Sequence, residues 1–352
     1  MEPTPSTFHS IQMLRAIAAF LVVLFHSHTA LSEAGAGTLF DEEQYLFGFG
    51  AVGVHIFFVI SGFIMVVASR FEPEFSVSQF MRRRLLRIYP VYWICAALYL
   101  AFHSFVGDPY NLSAAQIAGA LLLWPGVSSS IIGPAWTLVY EMFFYICFAL
   151  TMWLGLSRGF FVLSGAFICL PILGLVFRPE SSAMHVVTNS LLLEFIAGVG
   201  IGWLFKRNYL PQWGGELWVG LAIILFLGGA AYGYKTLPSA LSWGLPSALL
   251  ILGVVCLEVK AGAGRVVRII SLLGDSSYSL YLLHILLITI LLAGSSMYPL
   301  SSPPNAIVAS LAVSAICVAV AELFHRKIER PLLYIANPRR DMPSRRVVDQ
   351  AP

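Results

Sequence analysis

Ten separate stretches of this chain are each apolar for about the 20 residues that an α-helix needs to cross a ~30 Å hydrocarbon core. They are 11–31, 50–69, 87–106, 134–154, 159–177, 186–205, 216–234, 239–257, 272–294 and 305–325. Backbone in hydrocarbon has no water to bond to, so runs of this length fold as helices that satisfy their own amides. Short connections punctuate them, marked by Gly35 and Gly37, Pro211, Gly262 and Gly264, and Pro303 and Pro304. The pattern predicts an all-α polytopic membrane protein. A single transmembrane domain is expected over 1–333, with a basic, disordered tail over 334–352. With 11% charged and 58% hydrophobic residues, against about a quarter charged in ordinary soluble domains, the chain has too little polar surface for a cytosolic enzyme or a disordered protein. A formal net charge of +3 gives no footing for nucleic acid. The cysteines (Cys95, Cys147, Cys169, Cys256, Cys317) lie in apolar runs without C-x-x-C spacing, which predicts buried free thiols and no metal.

Basic residues set the expected orientation. If the N-terminus is cytoplasmic, all of the 21 Lys and Arg fall in inner loops and the tail except Arg15, Arg178 and Lys235, as the positive-inside rule requires. That count holds only if the further apolar stretch 114–125 does not span, so it is expected to be re-entrant or interfacial. Both termini are then cytoplasmic. The first apolar run is too long for a cleaved signal peptide and carries Arg15 and His26.

An ionisable group inside a membrane is costly and marks a candidate site. Arg15 and His26 are eleven residues apart, some 20° past three helical turns, so they share a face about 16 Å apart. This spacing fits either a functional pair or a snorkelling Arg15 with a His26 that glues helices. His55 in GVHIFFVISGFIM and Glu141 in PAWTLVYEMFFY each sit near the outer end of a helix. His26, His55 and Glu141 are therefore expected at similar depth, where a carboxylate beside an imidazole favours general-base work. On the inner side, FMRRRLLRIYPVYW places Arg82, Arg83, Arg84 and Arg87 at a membrane mouth, suited to a polyphosphate or to anionic lipid. Asp275, Ser276 and Ser277 read as an N-terminal cap for the helix that carries Ser279, Tyr281 and His284. Glu194 reads as a carboxyl without a basic partner. His9, His28, His103, His185 and His325 read as solvated.

Taken in order, IQMLRAIAAFLVVLFH, GVHIFFVISGFIM, RRRLLRIYPVYW, AWTLVYEMFFY, LGDSSYSLYLLH and IERPL resemble the motifs of the acyltransferase-3 family, from about residue 10 to 333. The bare ten-helix form is most similar to the exopolysaccharide O-acetyltransferases of that family. The resemblance implies that Arg15 and His26 are the family's Arg–ten residues–His signature, with His26 at the reaction centre. It places Glu141 on the glutamate of the fourth-helix motif, and Arg82, Arg83, Arg84 and Arg87 on the arginine cluster. In one departure, His55 stands where many relatives carry Asp.

The function implied is transfer of an acetyl group from cytoplasmic acetyl-CoA to a hydroxyl of an extracytoplasmic carbohydrate, a polysaccharide or a lipid-linked oligosaccharide. His26 and Glu141 are the expected catalytic pair, and Arg15, Arg82, Arg83, Arg84 and Arg87 hold the donor. His55, Trp136, Tyr140, Ser279 and His284 are candidate acceptor- or channel-lining residues. The expected location is the inner cell membrane, amid membrane lipids. A proton-coupled exporter or flippase of a glycan or lipid is the rival reading, because membrane Glu and His also suit a proton relay.

Overall fold

The computed structural model describes residues 8–32, 49–69, 75–211, 213–232, 237–293 and 303–336. Gly35, Gly37, Arg70, Lys235 and the expected disordered tail beyond 336 lie outside the described residues. The helices are α1 (His9–Leu31), α2 (Val52–Ala68), α3 (Val77–Phe105), α4 (Ala114–Leu121), α5 (Trp136–Met152), α6 (Leu156–Phe177) and α7 (Ser182–Val187). They continue with α8 (Leu192–Lys206), α9 (Gly215–Tyr232), α10 (Leu245–Ala261), α11 (Arg265–Ser271), α12 (Ser277–Ala293), α13 (Pro303–Phe324) and α14 (Arg330–Ala336). Among the described residues there is no strand. Eight helical segments are long and apolar enough to cross a membrane, and two shorter apolar helices, Gly215–Ala231 and Ser277–Ala293, complete a set that matches the ten stretches one for one. The protein is an all-α polytopic membrane protein. Helix continues to Ala336, past the domain end expected at 333.

The face where α1 begins is called proximal and the opposite face distal. At the proximal end α1 has no cap of its own; the Glu258 carboxylate of α10 accepts from the amides of His9 (2.8 Å) and Ser10 (2.7 Å). Those are two of the four donors a helix start leaves open, met by the charge its dipole favours. Asp275 does not cap α12. Its carboxylate accepts from Gln12 Nε2 at 2.7 Å, and Ser276 Oγ donates to the Leu273 carbonyl. Just before them lies Gly274, where a Cβ would stand 2.3 Å from the Gln12 carbonyl oxygen, so α1 and the segment leading into α12 meet backbone to backbone.

Arg82, Arg83, Arg84 and Arg87 are on helix and not in a loop, because α3 starts at Val77, where the Ser76 hydroxyl accepts from the Gln79 amide. After α3 ends at the distal face the chain turns back inward. The short α4 carries a Ser113–Gln116 capping box at its start. Its last turn leaves carbonyls that Tyr92 (to Ala120, 2.8 Å), Trp93 (to Leu121, 2.9 Å) and Tyr89 (to Leu122, 3.2 Å) satisfy. Those donors sit at the middle of α3, about 18 Å below its distal end. The 114–125 stretch therefore dips into the membrane and returns, and its broken backbone is tolerated there because side chains complete its hydrogen bonds.

Helices α2 and α8 pack backbone to backbone. A Cβ on Gly62 would stand 2.1 Å from the Phe195 carbonyl oxygen, and one on Gly198 would stand 2.0 Å from that of Val59. Small residues of this kind let membrane helices touch along their backbones. Of the thiols, Cys95, Cys256 and Cys317 are buried as expected; Cys147 is half-buried and Cys169 is exposed on α6.

Candidate active site

Three layers of polar groups descend through the bundle, and helix register sets their order. Gly50 packs on Leu21 and Phe25, and Gly53 packs on Ala18, so α1 rises past the start of α2. His55 is therefore at least two turns deeper than His26, and the shared depth expected for His26, His55 and Glu141 does not hold.

His26 lies uppermost, and its neighbour is His284 of α12, with ring centroids 5.1 Å apart. His284 is fully buried. Its Nδ1 is 2.7 Å from the Tyr281 carbonyl, an acceptor only, so Nδ1 carries the hydrogen and Nε2 keeps its lone pair. That Nε2 makes no other hydrogen bond. The Tyr281 hydroxyl donates to the Pro134 carbonyl and stands 2.5 Å from the Thr137 hydroxyl, which ties α12 to the first turn of α5. Ser279, expected to line a channel with His284, instead donates to Glu329 Oε2 at 2.5 Å.

Next below is a buried pair. His55 Nδ1 lies 2.6 Å from Glu194 Oε1, with the two residues 8% and 2% exposed. The glycine interlock of α2 and α8 dictates this contact. Val59 meets Gly198, and one turn back along both helices stand His55 and Glu194. Gly244 leaves room for the carboxylate, since a Cβ there would stand 2.9 Å from Glu194 Oε1. Glu194 thus has the basic partner its sequence surroundings failed to suggest. A distal cavity of about 630 Å³ reaches down to His55, and Trp136 and Tyr140 also line it.

Deepest is a charged cluster. The Glu141 Oε1 accepts from Ser61 (3.2 Å) and from Tyr145. Ser61 lies six residues beyond His55 on α2, roughly 9 Å further in. Glu141 is within Coulombic range of Arg15 and Arg84. The expected His26–Glu141 pair is therefore corrected: this carboxylate belongs with the arginines. Arg15 is buried, donates to Gln12 Oε1 at 2.9 Å, and is within Coulombic range of Arg87, Asp275 and Glu329 as well. Arg84 lies over Phe80 (5.4 Å to the ring centroid) and Tyr145 (5.8 Å). The arginines divide by helix face, since Arg84 and Arg87 are half-buried and turn to the cluster while Arg82 and Arg83 are exposed.

Glu329 of the IERPL motif was not singled out as a functional residue from sequence. It is 1% exposed and joins His325 Nδ1 (2.9 Å) to Ser279. His28 is also buried, not solvated, and approaches Ser310 at 3.5 Å. His185 lines the distal cavity. Among the described residues no three His, Cys, Asp or Glu side chains are grouped to hold a metal ion.

The helical membrane body thus holds a histidine pair above an arginine–carboxylate cluster, and the sequence comparisons give the class of protein. Residues 8–322 match the acyltransferase domain family, and the chain belongs to that family of membrane acyltransferases. It is 34% identical over 311 residues to the exopolysaccharide production protein ExoZ of Rhizobium meliloti (strain 1021), covering 85% of this chain and 95% of that one. It is 26% identical over 385 residues to the acyltransferase MdmB of Streptomyces mycarofaciens, covering 97% and 95%. No solved structure matches the chain.

Proposed function

We propose that this protein moves an acetyl group from acetyl-CoA at the proximal, cytoplasmic face to a hydroxyl of a carbohydrate at the distal, extracytoplasmic face of the inner membrane. The acceptor class follows ExoZ, whose name assigns it to exopolysaccharide production, and a polysaccharide or a lipid-linked oligosaccharide both fit it. Arg84 and Arg87, together with Arg15, present guanidinium groups that pair with the donor's phosphates. Exposed Arg82 and Arg83 add long-range attraction for the polyanion and for anionic lipid.

The observation that carries the reading is the His26–His284 contact. His284, with its Nδ1 hydrogen committed to Tyr281, can accept a hydrogen only at Nε2. A His26 nitrogen turned to that lone pair would carry its hydrogen there, leaving the other His26 nitrogen as the base. In the transfer step the acceptor oxygen attacks the thioester carbonyl carbon while His26 takes the hydroxyl proton. The new C–O bond forms, the C–S bond breaks, and the proton passes to the departing thiolate, giving an ester and free CoA thiol. Glu141 acts lower down, balancing and orienting the arginines.

Purified protein in nanodiscs tests this. It should release free thiol from acetyl-CoA only when glycan is added, and His26→Ala should stop release while preserving the folded protein. A proton-coupled exporter would leave the thioester intact. Undiminished thiol release by His26→Ala would remove His26 from the reaction.

A further inference from the structure

The distal cavity has features that the transfer chemistry at His26 does not use. Its volume of about 630 Å³ is in the range of small-molecule sites, ~300–1,000 Å³. Hydrogen-bonding groups line it, among them His55, Ser128, Glu180 and Asn189, and none of its lining residues is Lys or Arg. A wall with an acid and no cation repels phosphates and the polyphosphate donor, and accepts a neutral polyhydroxyl molecule. Trp136, 41% exposed, forms part of the wall with Tyr140 beside it, their rings 5.9 Å apart and edge to face. A flat indole face next to hydrogen-bonding groups is complementary to a sugar ring, which has C–H groups on its faces and hydroxyls at its edge.

At the floor is His55. The Glu194 carboxylate can only accept, so the 2.6 Å contact puts the hydrogen on Nδ1 and leaves Nε2 as an acceptor. A carboxylate bonded to one ring nitrogen thus fixes which nitrogen carries the hydrogen. The arrangement also connects to the reaction centre. The first turn of α5 sends Trp136 and Tyr140 into the cavity and Thr137 onto Tyr281, whose ring is 6.1 Å from that of His284. Thr137 and Tyr281 thus stand between the cavity wall and the imidazole pair.

We propose that this cavity is the acceptor subsite, holding a pyranose ring against Trp136 with one non-reacting hydroxyl donating to His55 Nε2. The inference deepens the acetyltransferase reading and rests on it for the acceptor's purpose, but the binding it asserts needs no donor. His55 is then an acceptor-binding residue positioned by Glu194, a role that an aspartate at 55 could not fill next to another carboxylate.

The test is saturation-transfer NMR on the full chain in nanodiscs, without acetyl-CoA, using methyl gluco-, galacto- and mannopyranosides and their disaccharides at millimolar concentration. Wild type should bind at least one pyranoside. Trp136→Ala and His55→Ala should weaken that binding at least tenfold, whereas Trp136→Phe, which keeps a ring face, should retain most of it. Equal binding by wild type, Trp136→Ala and His55→Ala overturns the assignment, as does no pyranoside binding by wild type, whatever transfer assays give. Binding with these sensitivities but no thiol release from acetyl-CoA would sink the acetyltransferase reading and leave the sugar site standing.

Discussion

The His284 imidazole faces that of His26 across 5.1 Å with its Nδ1 hydrogen already held by the Tyr281 carbonyl. Such a ring cannot rotate to offer a hydrogen to His26 without breaking a buried bond, which costs about 1–3 kcal/mol. We propose it as a positioning residue for His26. His284→Ala should lower kcat about 10²-fold, the scale of a mispositioned general base, with KM for acetyl-CoA within twofold. His284→Asn, whose carbonyl offers an acceptor on the same side, should recover part of the loss. A kcat unchanged by both substitutions would leave His26 to work alone.

Glu141 separates from His26 by the same logic. Its hydrogen bonds go to Ser61 and Tyr145, and its charge is felt by Arg15 and Arg84. Glu141→Gln should change donor KM and lower thermal stability, because buried guanidinium groups lose a counter-charge. The limb of the pH–rate profile set by the catalytic imidazole should stay where it is. Displacement of that limb by a full pH unit would restore Glu141 to a partnership with His26.

The two arginine faces of α3 make a further distinction. Charge-assisted hydrogen bonds are worth about 1.5–3 kcal/mol, so Arg84→Gln and Arg87→Gln should each raise KM for acetyl-CoA about tenfold or more. Arg82→Gln and Arg83→Gln, on the exposed side, should stay within about threefold at 0.15 M salt, where screening is strong. Their effect should grow at low salt. Equal losses at all four positions would mean that the whole basic turn grips the donor, regardless of face.

Much of the architecture was legible because a bilayer reads sequence almost literally. Apolar length gave the ten helices, and the charge count required 114–125 not to cross. Depth was less legible. Equal distance from the start of each helix does not mean equal depth when Gly50 and Gly53 seat α2 low against α1, and this displaced His55 and Glu141 from the level expected. The Glu194 partner was legible in principle. Gly198 and Gly202 form a G-x-x-x-G stripe with Glu194 one turn before it on the same face, the pattern of a close helix contact. The partner on that face, His55, came from a distant part of the chain that no local signal could name. Glu329 lies in a recognised motif, but its burial against Ser279 depends on how α12 and α13 pack.

The glycine stripe leaves no room for a side chain at the α2–α8 contact. A methyl group at Gly198 would stand 2.0 Å from the Val59 carbonyl oxygen and 2.8 Å from the Phe63 amide nitrogen. Both are backbone atoms of a packed helix, so neither can swing aside and α2 must move from α8. Overpacking of this kind costs about 1–3 kcal/mol. The displacement would also stretch the His55–Glu194 contact one turn away. Gly198→Ala should therefore lower the melting temperature in detergent and weaken pyranoside binding together. Gly165→Ala and Gly220→Ala serve as controls, since a Cβ at either meets nothing within 4 Å. Each should be neutral or raise helix stability by up to about 1 kcal/mol. If Gly198→Ala melts with the controls and binds sugar as wild type does, then the α2–α8 interlock does not set the geometry of His55.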